Sequence, residues 1–179
     1  MILIFTGNGK GKTTAALGQA LRSVGEGKRV LMIQFIKGPW KSGEDFYLEK
    51  FNIPRFTFNI FKTGLGFVGI LDDKLPIKEH KKAAEEGLWF AKKEIESGKW
   101  DMVILDEINN AVSLGLIPKE KVLELIKLAN QPTVKLEYLI LTGRDAPQEF
   151  IGAADIVTEM KDIKHVFEKG VKAKRGIEY

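Results

Sequence analysis

The chain has 179 residues, of which 44% are hydrophobic and 29% charged, and it contains no cysteine. These proportions suit one α/β domain with a substantial core, and the lack of cysteine excludes disulfides, thiolate zinc sites and cysteine-held iron–sulfur clusters. The net charge of +4 favours anionic partners without choosing among nucleotides, nucleic acids and anionic cofactors. Because neither a membrane-spanning apolar run nor a signal peptide is evident, we expect a soluble, cytoplasmic protein.

The N-terminal part of the chain predicts a strand, a glycine loop, a helix and a second strand. Met1–Phe5 is a short apolar run typical of a buried strand, and it leads into the sequence TGNGKGKTT. A helix is predicted over Ala15–Val24 and another apolar strand over Arg29–Ile36. This βαβ order indicates a parallel sheet with helices on its faces.

The rest of the chain continues the alternation of helices and strands. Helices are predicted at Glu44–Phe51, Pro76–Gly98 and Pro118–Asn130, and strands at Phe56–Phe61, Asp101–Glu107, Glu137–Leu141 and Ile156–Glu159. The long helix carries an apolar stripe that starts at Ile77 and includes His80, which we interpret as a core histidine, and Trp89 is expected to be a packing residue. No repeat or linker is evident, so we predict one domain over residues 1–179.

The loop between the first strand and helix predicts a phosphate site. Glycine-rich backbone aims successive N–H groups at one point, next to the positive end of a helix dipole. Lys12 would bring positive charge to the phosphates, and the Thr13 hydroxyl is a ligand for Mg²⁺. The loop departs from the usual P-loop pattern, because Thr6 stands where glycine is expected and Lys10 adds a second charge. This altered loop hints at a reaction other than ordinary γ-phosphate transfer.

The predicted strand Asp101–Glu107 ends in two acidic residues. Asp106 and Glu107 are placed where P-loop proteins hold Mg²⁺ directly or through water. Two other interpretations stay open at this point. The pair could cap the helix that follows, or Glu107 could be the base for an attacking water in an ATPase.

A glycine-rich stretch, Gly64–Gly69, is too apolar for an ordinary solvated loop. Its composition indicates a place where an apolar group approaches the backbone.

Six segments together resemble one enzyme family over nearly the whole chain. They are GNGKGKTTAALG, QFIKGPW, GLGF, VILDEINNA, LTGRDAP and KHVFEKGVKAKRGIEY, in this order. The chain resembles the P-loop type of ATP:corrinoid adenosyltransferase. The resemblance implies a three-layer, RecA-like P-loop NTPase fold with a mostly parallel sheet, usually as a homodimer. It also implies that cobalt(I) of a reduced corrinoid attacks the 5′ carbon of ATP and releases triphosphate, in adenosylcobalamin biosynthesis or salvage. A reduced flavoprotein is the expected electron donor.

The resemblance also assigns roles to residues. ATP binding falls to Gly7, Asn8, Gly9, Lys10, Gly11, Lys12, Thr13 and Thr14. Lys12, Thr13 and Glu107 are the catalytic candidates, and Thr13, Glu107 and Asp106 the ligands of Mg²⁺. Phe67 and Trp40 are expected to contact the corrin, where the aromatic ring displaces the lower axial ligand of cobalt, and Arg144 to contact a phosphate or the corrinoid. The family carries tryptophan at the position of Gly69, so we expect a thinner apolar platform here.

Two rival functions are less favoured. The first is a RecA-like, ATP-hydrolysing nucleic-acid-binding protein, which the basic charge and the acidic pair would suit. No arginine-rich stripe or row of aromatic residues supports nucleic-acid binding, however. The second rival is a non-catalytic carrier of a corrinoid or nucleotide. We therefore expect small-molecule substrates, with neither nucleic acid nor membrane as a partner.

Overall fold

The computed structural model describes residues 1–54, 57–69, 73–166 and 170–178 of the chain. Its elements follow in this order: β1 (Ile2–Thr6), α1 (Lys12–Gly25), β2 (Val30–Gln34), α2 (Gly43–Lys50), β3 (Phe58–Lys62), α3 (Ile77–Glu96), β4 (Met102–Asp106), α4 (Ile108–Ser113), α5 (Lys119–Ala129), β5 (Tyr138–Thr142), α6 (Gln148–Ala153) and β6 (Ile156–Glu159).

The six strands form one sheet in the order β3-β2-β4-β5-β1-β6, and every described pair is parallel. The N-terminal strand β1 lies between two strands from the C-terminal part of the chain, so Leu3 has Ile140 on one side and Ile156 on the other. Strand β5 separates β1 from β4. Strands β1, β2 and β4 are buried along their whole length, which explains their unbroken apolar sequences.

Helices cover both faces of the sheet, which gives three layers. On one face the small residues Ala16 and Ala20 of α1 let that helix pack closely on Phe5 and Met32. On the other face α3, α4, α5 and α6 cover alternate strand residues such as Ile4. Because successive strand residues point to opposite faces, each buried strand contributes to both halves of the core.

The predicted elements are found in the structure, with shifted ends. Helix α1 begins at Lys12, three residues before the predicted start, so Lys12 and Thr13 belong to its first turn. Strand β3 begins at Phe58, and Phe56, where the prediction began, lies outside the described residues. The sequence analysis did not find α6, because a six-residue helix is too short to show a helical period.

Helix α3 buries the predicted apolar stripe except at its first residue, and one further prediction on this helix, for Trp89, was wrong. His80, Ala84, Leu88, Ala91 and Ile95 are buried, which confirms His80 as a core histidine. Ile77, the first residue of the helix, is exposed instead. The prediction for Trp89 was wrong: its side chain is 59% exposed, because its position faces away from the stripe. Lys93 Nζ lies 3.8 Å from the centre of the Trp89 ring.

The parallel arrangement brings the functional loops to one edge of the sheet. The carboxyl ends of β1, β2, β4 and β5 all open there, and ligands of open α/β sheets bind at this edge. No helix in the described part of the chain is both long and apolar enough to cross a membrane.

Candidate functional site

The phosphate loop rests on the chain that follows β6. Gly9 N donates a 2.7 Å hydrogen bond to Met160 O. A Cβ atom on Gly9 would lie 2.5 Å from Lys161 O, so no residue other than glycine fits without displacing this backbone. The glycines outside the usual P-loop positions therefore allow the loop to pack against residues 160–161.

Both lysines of the loop are held by backbone carbonyls. Lys12 Nζ donates to Gly7 O at 2.8 Å and to Gly9 O at 2.7 Å, so its ammonium group lies inside the loop. Burial lowers the pKa of Lys12, against the opposing effect of Glu107. Lys10 is exposed and donates to Ile177 O of the C-terminal segment. Two positive charges therefore flank the loop, one enclosed and one at its rim.

Asp106 is the centre of a hydrogen-bond network at the end of β4. Its fully buried carboxylate accepts from Thr13 Oγ1 (2.9 Å) and Thr142 Oγ1 (2.7 Å) on one oxygen. The other oxygen accepts from Gln34 Nε2 at 3.1 Å and lies 3.3 Å from Lys37 Nζ. Because each oxygen already has two partners, Asp106 fits a group that orients Thr13 better than a direct metal ligand.

In contrast to Asp106, the neighbouring Glu107 has a carboxylate that the described residues do not fully hydrogen-bond. Its backbone has φ 63°, and its N–H donates a 2.9 Å hydrogen bond to Thr142 Oγ1. Its Oε2 atom is buried and has no hydrogen-bond partner among the described residues. Burial and the neighbouring Asp106 carboxylate raise the pKa of Glu107 to about 7. Its side chain makes no capping hydrogen bond to α4, so the capping interpretation was wrong for this residue.

These groups open into a cavity of about 400 Å³ beside the phosphate loop. Its lining contains six of the predicted site residues: Lys10, Gly11, Lys12, Thr13, Thr14 and Glu107. It also contains residues to which the sequence analysis gave no role, namely Leu17, Lys37, Gly43, Glu44, Gly176, Ile177 and Glu178. Lys37 and the last three lie in segments that carried the family resemblance, but no spacing or periodicity identified them as cavity residues.

Several predicted site residues lie outside this lining. Gly7, Asn8 and Gly9 belong to the loop but do not line the cavity, and Asn8 is exposed. Arg144 is also exposed, and its backbone N–H donates to Asn110 Oδ1. Its positive charge contributes to lowering the pKa of Lys12 and opposes the raised pKa of Glu107.

The two predicted corrin contacts form an exposed aromatic surface. Trp40 is 59% and Phe67 48% exposed, so neither is a core residue. The Trp40 ring lies on the loop backbone, since a Cβ atom would be 2.5 Å from it at Gly38 and 3.0 Å at Gly66. The Trp40 ring therefore lies beside Gly66, the residue that precedes Phe67.

The loop that bears Phe67 is anchored at both ends. On one side Gly66 N donates to Ile36 O at 3.1 Å. On the other, Asp73 accepts from Gly69 N at 2.8 Å and lies 3.0 Å from Nε2 of the buried His80. Hydrogen bonds from the backbone N–H groups of Gly69 and Leu75, together with His80, lower the pKa of Asp73. The anchors hold Phe67 in place while its ring stays in contact with solvent.

Gly69, where the resembled family carries tryptophan, has φ 69°, and no atom of the described residues lies within 4 Å of the position of a Cβ. A Cβ therefore meets none of these atoms, but the residue would adopt a left-handed backbone conformation that L-residues disfavour.

The described residues contain no group of three or more His, Cys, Asp or Glu side chains placed to hold a metal ion. A magnesium ion in such a site normally takes one or two carboxylates, with substrate phosphates and water as its other ligands. Thr13 and Glu107, which both line the cavity, fit that pattern.

Comparison with known proteins gives one consistent family. The family model described as ATP:corrinoid adenosyltransferase BtuR/CobO/CobP matches residues 1–179. The corrinoid adenosyltransferase of Escherichia coli is 39% identical over 100% of this chain and 85% of its own length. That of Salmonella typhimurium is 38% identical over the same shares. Among solved structures, a KaiC-like protein from Pyrococcus horikoshii OT3 matches with a TM-score of 0.56 and 14% identity, over 91% of this chain and 72% of that one. This last likeness concerns the fold alone and agrees with the predicted RecA-like architecture.

Proposed function

The chain belongs to the ATP:corrinoid adenosyltransferase family, and we propose that its phosphate loop, Glu107 and the surface formed by Trp40 and Phe67 perform the transfer. The enzyme moves the adenosyl group of ATP onto a corrinoid, a step of adenosylcobalamin biosynthesis or salvage. The observation that supports the assignment of residues is the cavity itself, which joins the loop lysines, Thr13 and Glu107 at the carboxyl edge of the sheet.

In the proposed reaction, the cobalt(I) electron pair attacks the 5′ carbon of ATP. A cobalt–carbon bond forms, the bond from that carbon to the phosphate oxygen breaks, and triphosphate departs with the bonding electrons. Negative charge accumulates on the departing triphosphate. Lys10 and Lys12 stabilise this charge, because hydrogen bonds to backbone carbonyls fix their positions before the reaction. We expect the loop N–H groups to add to this effect, apart from that of Gly9, which donates to Met160 O.

The residues around Asp106 fit a magnesium site. Thr13 and Glu107 would hold the ion, with Asp106 orienting Thr13 or binding through water. The unpartnered buried Oε2 of Glu107 supports this role. Magnesium bound there would neutralise phosphate charge and fix the orientation of ATP.

The aromatic surface suits the corrin. Trp40 and Phe67 expose flat apolar area at the same edge of the sheet as the phosphate loop, and Phe67 is the candidate to displace the lower axial ligand. Arg144 is the candidate for a phosphate or corrinoid contact, since its charge acts on the cavity residues.

Four further features belong to the proposal. We expect one domain, a homodimer, a reduced flavoprotein as electron donor and a cytoplasmic location. The need for ATP and for a strong reductant supports the last two, and the family resemblance supports the homodimer.

An anaerobic assay tests the function. Purified protein, ATP, Mg²⁺ and chemically reduced cob(I)alamin are mixed, the corrinoid spectrum is followed and the phosphate products are separated. A light-sensitive adenosylated corrinoid with one equivalent of triphosphate is expected. Orthophosphate and ADP with an unchanged corrinoid would instead indicate an ATPase.

A further inference from the structure

Lys37 lies in the loop after β2, whereas Lys10 and Lys12 belong to the phosphate loop after β1. Its Nζ atom is 3.2 Å from Glu44 Oε1 at the start of α2 and 3.3 Å from Asp106 Oδ2 at the end of β4. The side chain is 31% exposed and lines the cavity together with Lys10 and Lys12. Neither the motif analysis nor the mechanism above uses this ammonium group.

The three charged groups differ in their access to the cavity. The Asp106 side chain is fully buried and that of Glu44 only 13% exposed, so Lys37 is the most accessible of the three. Burial opposes the charge on Lys37, but Asp106 and Glu44 outweigh it and raise the pKa of the lysine. Lys37 in turn lowers the pKa of Glu44 to about 2, against the effect of burial. The lysine is therefore charged at neutral pH, and it is more accessible from the cavity than either of its two carboxylate partners.

Asp106 does not depend on Lys37 alone for hydrogen bonds. Thr13, Thr142 and Gln34 already donate to its two oxygens. Lys37 adds a positive charge on a flexible stem, and such a side chain can shift its ammonium group toward a phosphate oxygen while staying close to its carboxylates. It also screens Asp106 and Glu44 from an anion in the cavity.

We propose that Lys37 is a third phosphate-binding lysine, which contacts ATP and the departing triphosphate from the side of α2. This inference rests on the proposed function for the identity of the leaving group. Lys10 and Lys12 belong to the phosphate loop, and Lys37 to the loop after β2, and all three line the same cavity. Three cations from two loops match a leaving group that carries several negative charges.

A purely structural role is the competing explanation, because Lys37 also ties α2 to β4. The double variant Lys37→Met/Glu44→Gln separates the two. It removes one positive and one negative charge, so the net charge of the cavity is unchanged and no unpaired Glu44 carboxylate remains. Lys62→Met is the matched control, since Lys62 forms a similar partly buried ion pair with the next residue of the same helix (Nζ to Asp45 Oδ2, 2.6 Å).

The measurement is the dissociation constant of inorganic triphosphate with Mg²⁺, by calorimetry and without corrinoid. Loss of one charged contact should weaken binding about tenfold or more in Lys37→Met and in the double variant. The Lys62→Met protein should bind as the parent does. Parent-like binding by the double variant, or equal weakening in the Lys62→Met control, would overturn the proposal. If Lys37→Met does not fold, the double variant decides alone. Because no adenosyl transfer is measured, failure of the proposed function would show only in the cob(I)alamin assay.

Discussion

Thr13 Oγ1 donates a 2.9 Å hydrogen bond to Asp106 Oδ1, which links the first turn of the helix after the phosphate loop to the end of β4. The two residues are 93 positions apart, and strand β5 lies between the strands that lead to them. The Thr142 hydroxyl at the end of β5 donates to the same oxygen and accepts from Glu107 N. The Thr13 hydroxyl, which is proposed to ligate magnesium, follows β1 in the chain and is bonded to Asp106 at the end of β4. Asp106 is held in turn by Thr142 at the end of β5.

Asp106→Asn should destabilise the protein by about 1–3 kcal/mol. The new amide group is a donor, and it would face either the two threonine hydroxyls or Gln34 and Lys37, which are donors themselves. Urea unfolding measures the loss. Glu49→Gln, in the exposed pair with Lys41, is the control and should change stability by less than about 1 kcal/mol. An equally small effect for both variants would contradict the network described for Asp106.

Lys12→Ala should lower kcat about a hundredfold or more, since the group removed is fixed inside the loop and would stabilise the triphosphate charge. Steady-state rates with cob(I)alamin check this. Lys10→Ala should lower kcat less than Lys12→Ala does, because the Lys10 side chain lies exposed at the rim of the phosphate loop. Substantial turnover by the Lys12 variant would refute the assignment of the loop.

The titration of Glu107 should make the free energy of unfolding of the nucleotide-free protein decrease as pH rises. Its pKa is raised in the folded state, to about 7, so folding favours its protonated form. The contribution is fully present below the ordinary pKa, near 4.5, and is lost as pH rises through 7.

Glu107→Gln removes this titration. The Tm of the variant minus that of the parent should therefore be larger at pH 8 than at pH 5. Each kcal/mol corresponds to about 2–4 °C in a domain of this size. Thermal unfolding at both pH values gives the comparison. A constant difference in Tm between variant and parent would contradict the raised pKa.

Phe67→Ala should reduce the rate from cob(II)alamin, with a reductant present, by about tenfold more than the rate from prepared cob(I)alamin; a factor of ten corresponds to about 1.4 kcal/mol of barrier. The reason is that displacement of the axial ligand assists reduction, whereas cobalt(I) no longer needs it. Phe51→Ala removes an exposed phenylalanine beyond the far end of α2 and should affect neither rate. Equal losses from the two corrinoid states would exclude the ligand-displacement role of Phe67.

Gly69→Trp should raise the rate from cob(II)alamin if the thinner platform limits this step. A Cβ at this position meets no atom of the described residues, but the φ of 69° should reduce stability by about 1–2 kcal/mol. Gly69→Ala imposes the same backbone strain without the ring. A faster rate in the tryptophan variant alone would therefore identify the ring as the cause, and similar rates in both variants would argue against it.

Most of the fold could be predicted from the sequence, because the apolar runs and glycine positions report local structure. The runs MILIF, RVLMIQFI and DMVILDE contain all or most of strands β1, β2 and β4, and a glycine-rich loop joins β1 to α1 as predicted. Trp89 shows the limit of composition: tryptophan is usually buried, but its position on α3 faces solvent.

The site was less predictable, since half of the cavity comes from residues that are far apart in sequence. Lys37 and Glu44 line the same cavity as Lys12. They come from the chain after β2, which two strands, β4 and β5, separate from β1 in the sheet. Nothing in the sequence near Ile177 indicated that its carbonyl would accept from Lys10. Such contacts depend on the strand order and on the path of the chain, which local patterns do not encode.

The placement of β1 between β5 and β6 has a consequence for synthesis. Strand β1 precedes both of its neighbours in the chain, so it can pair with them only when residues 138–159 have been made, and the phosphate loop gains its support only at Met160. A nascent chain that ends before this point contains the entire glycine loop but lacks the partners that shape it. Nucleotide binding should therefore arise late in translation, and the exposed apolar strand β1 is a segment that chaperones can recognise until then.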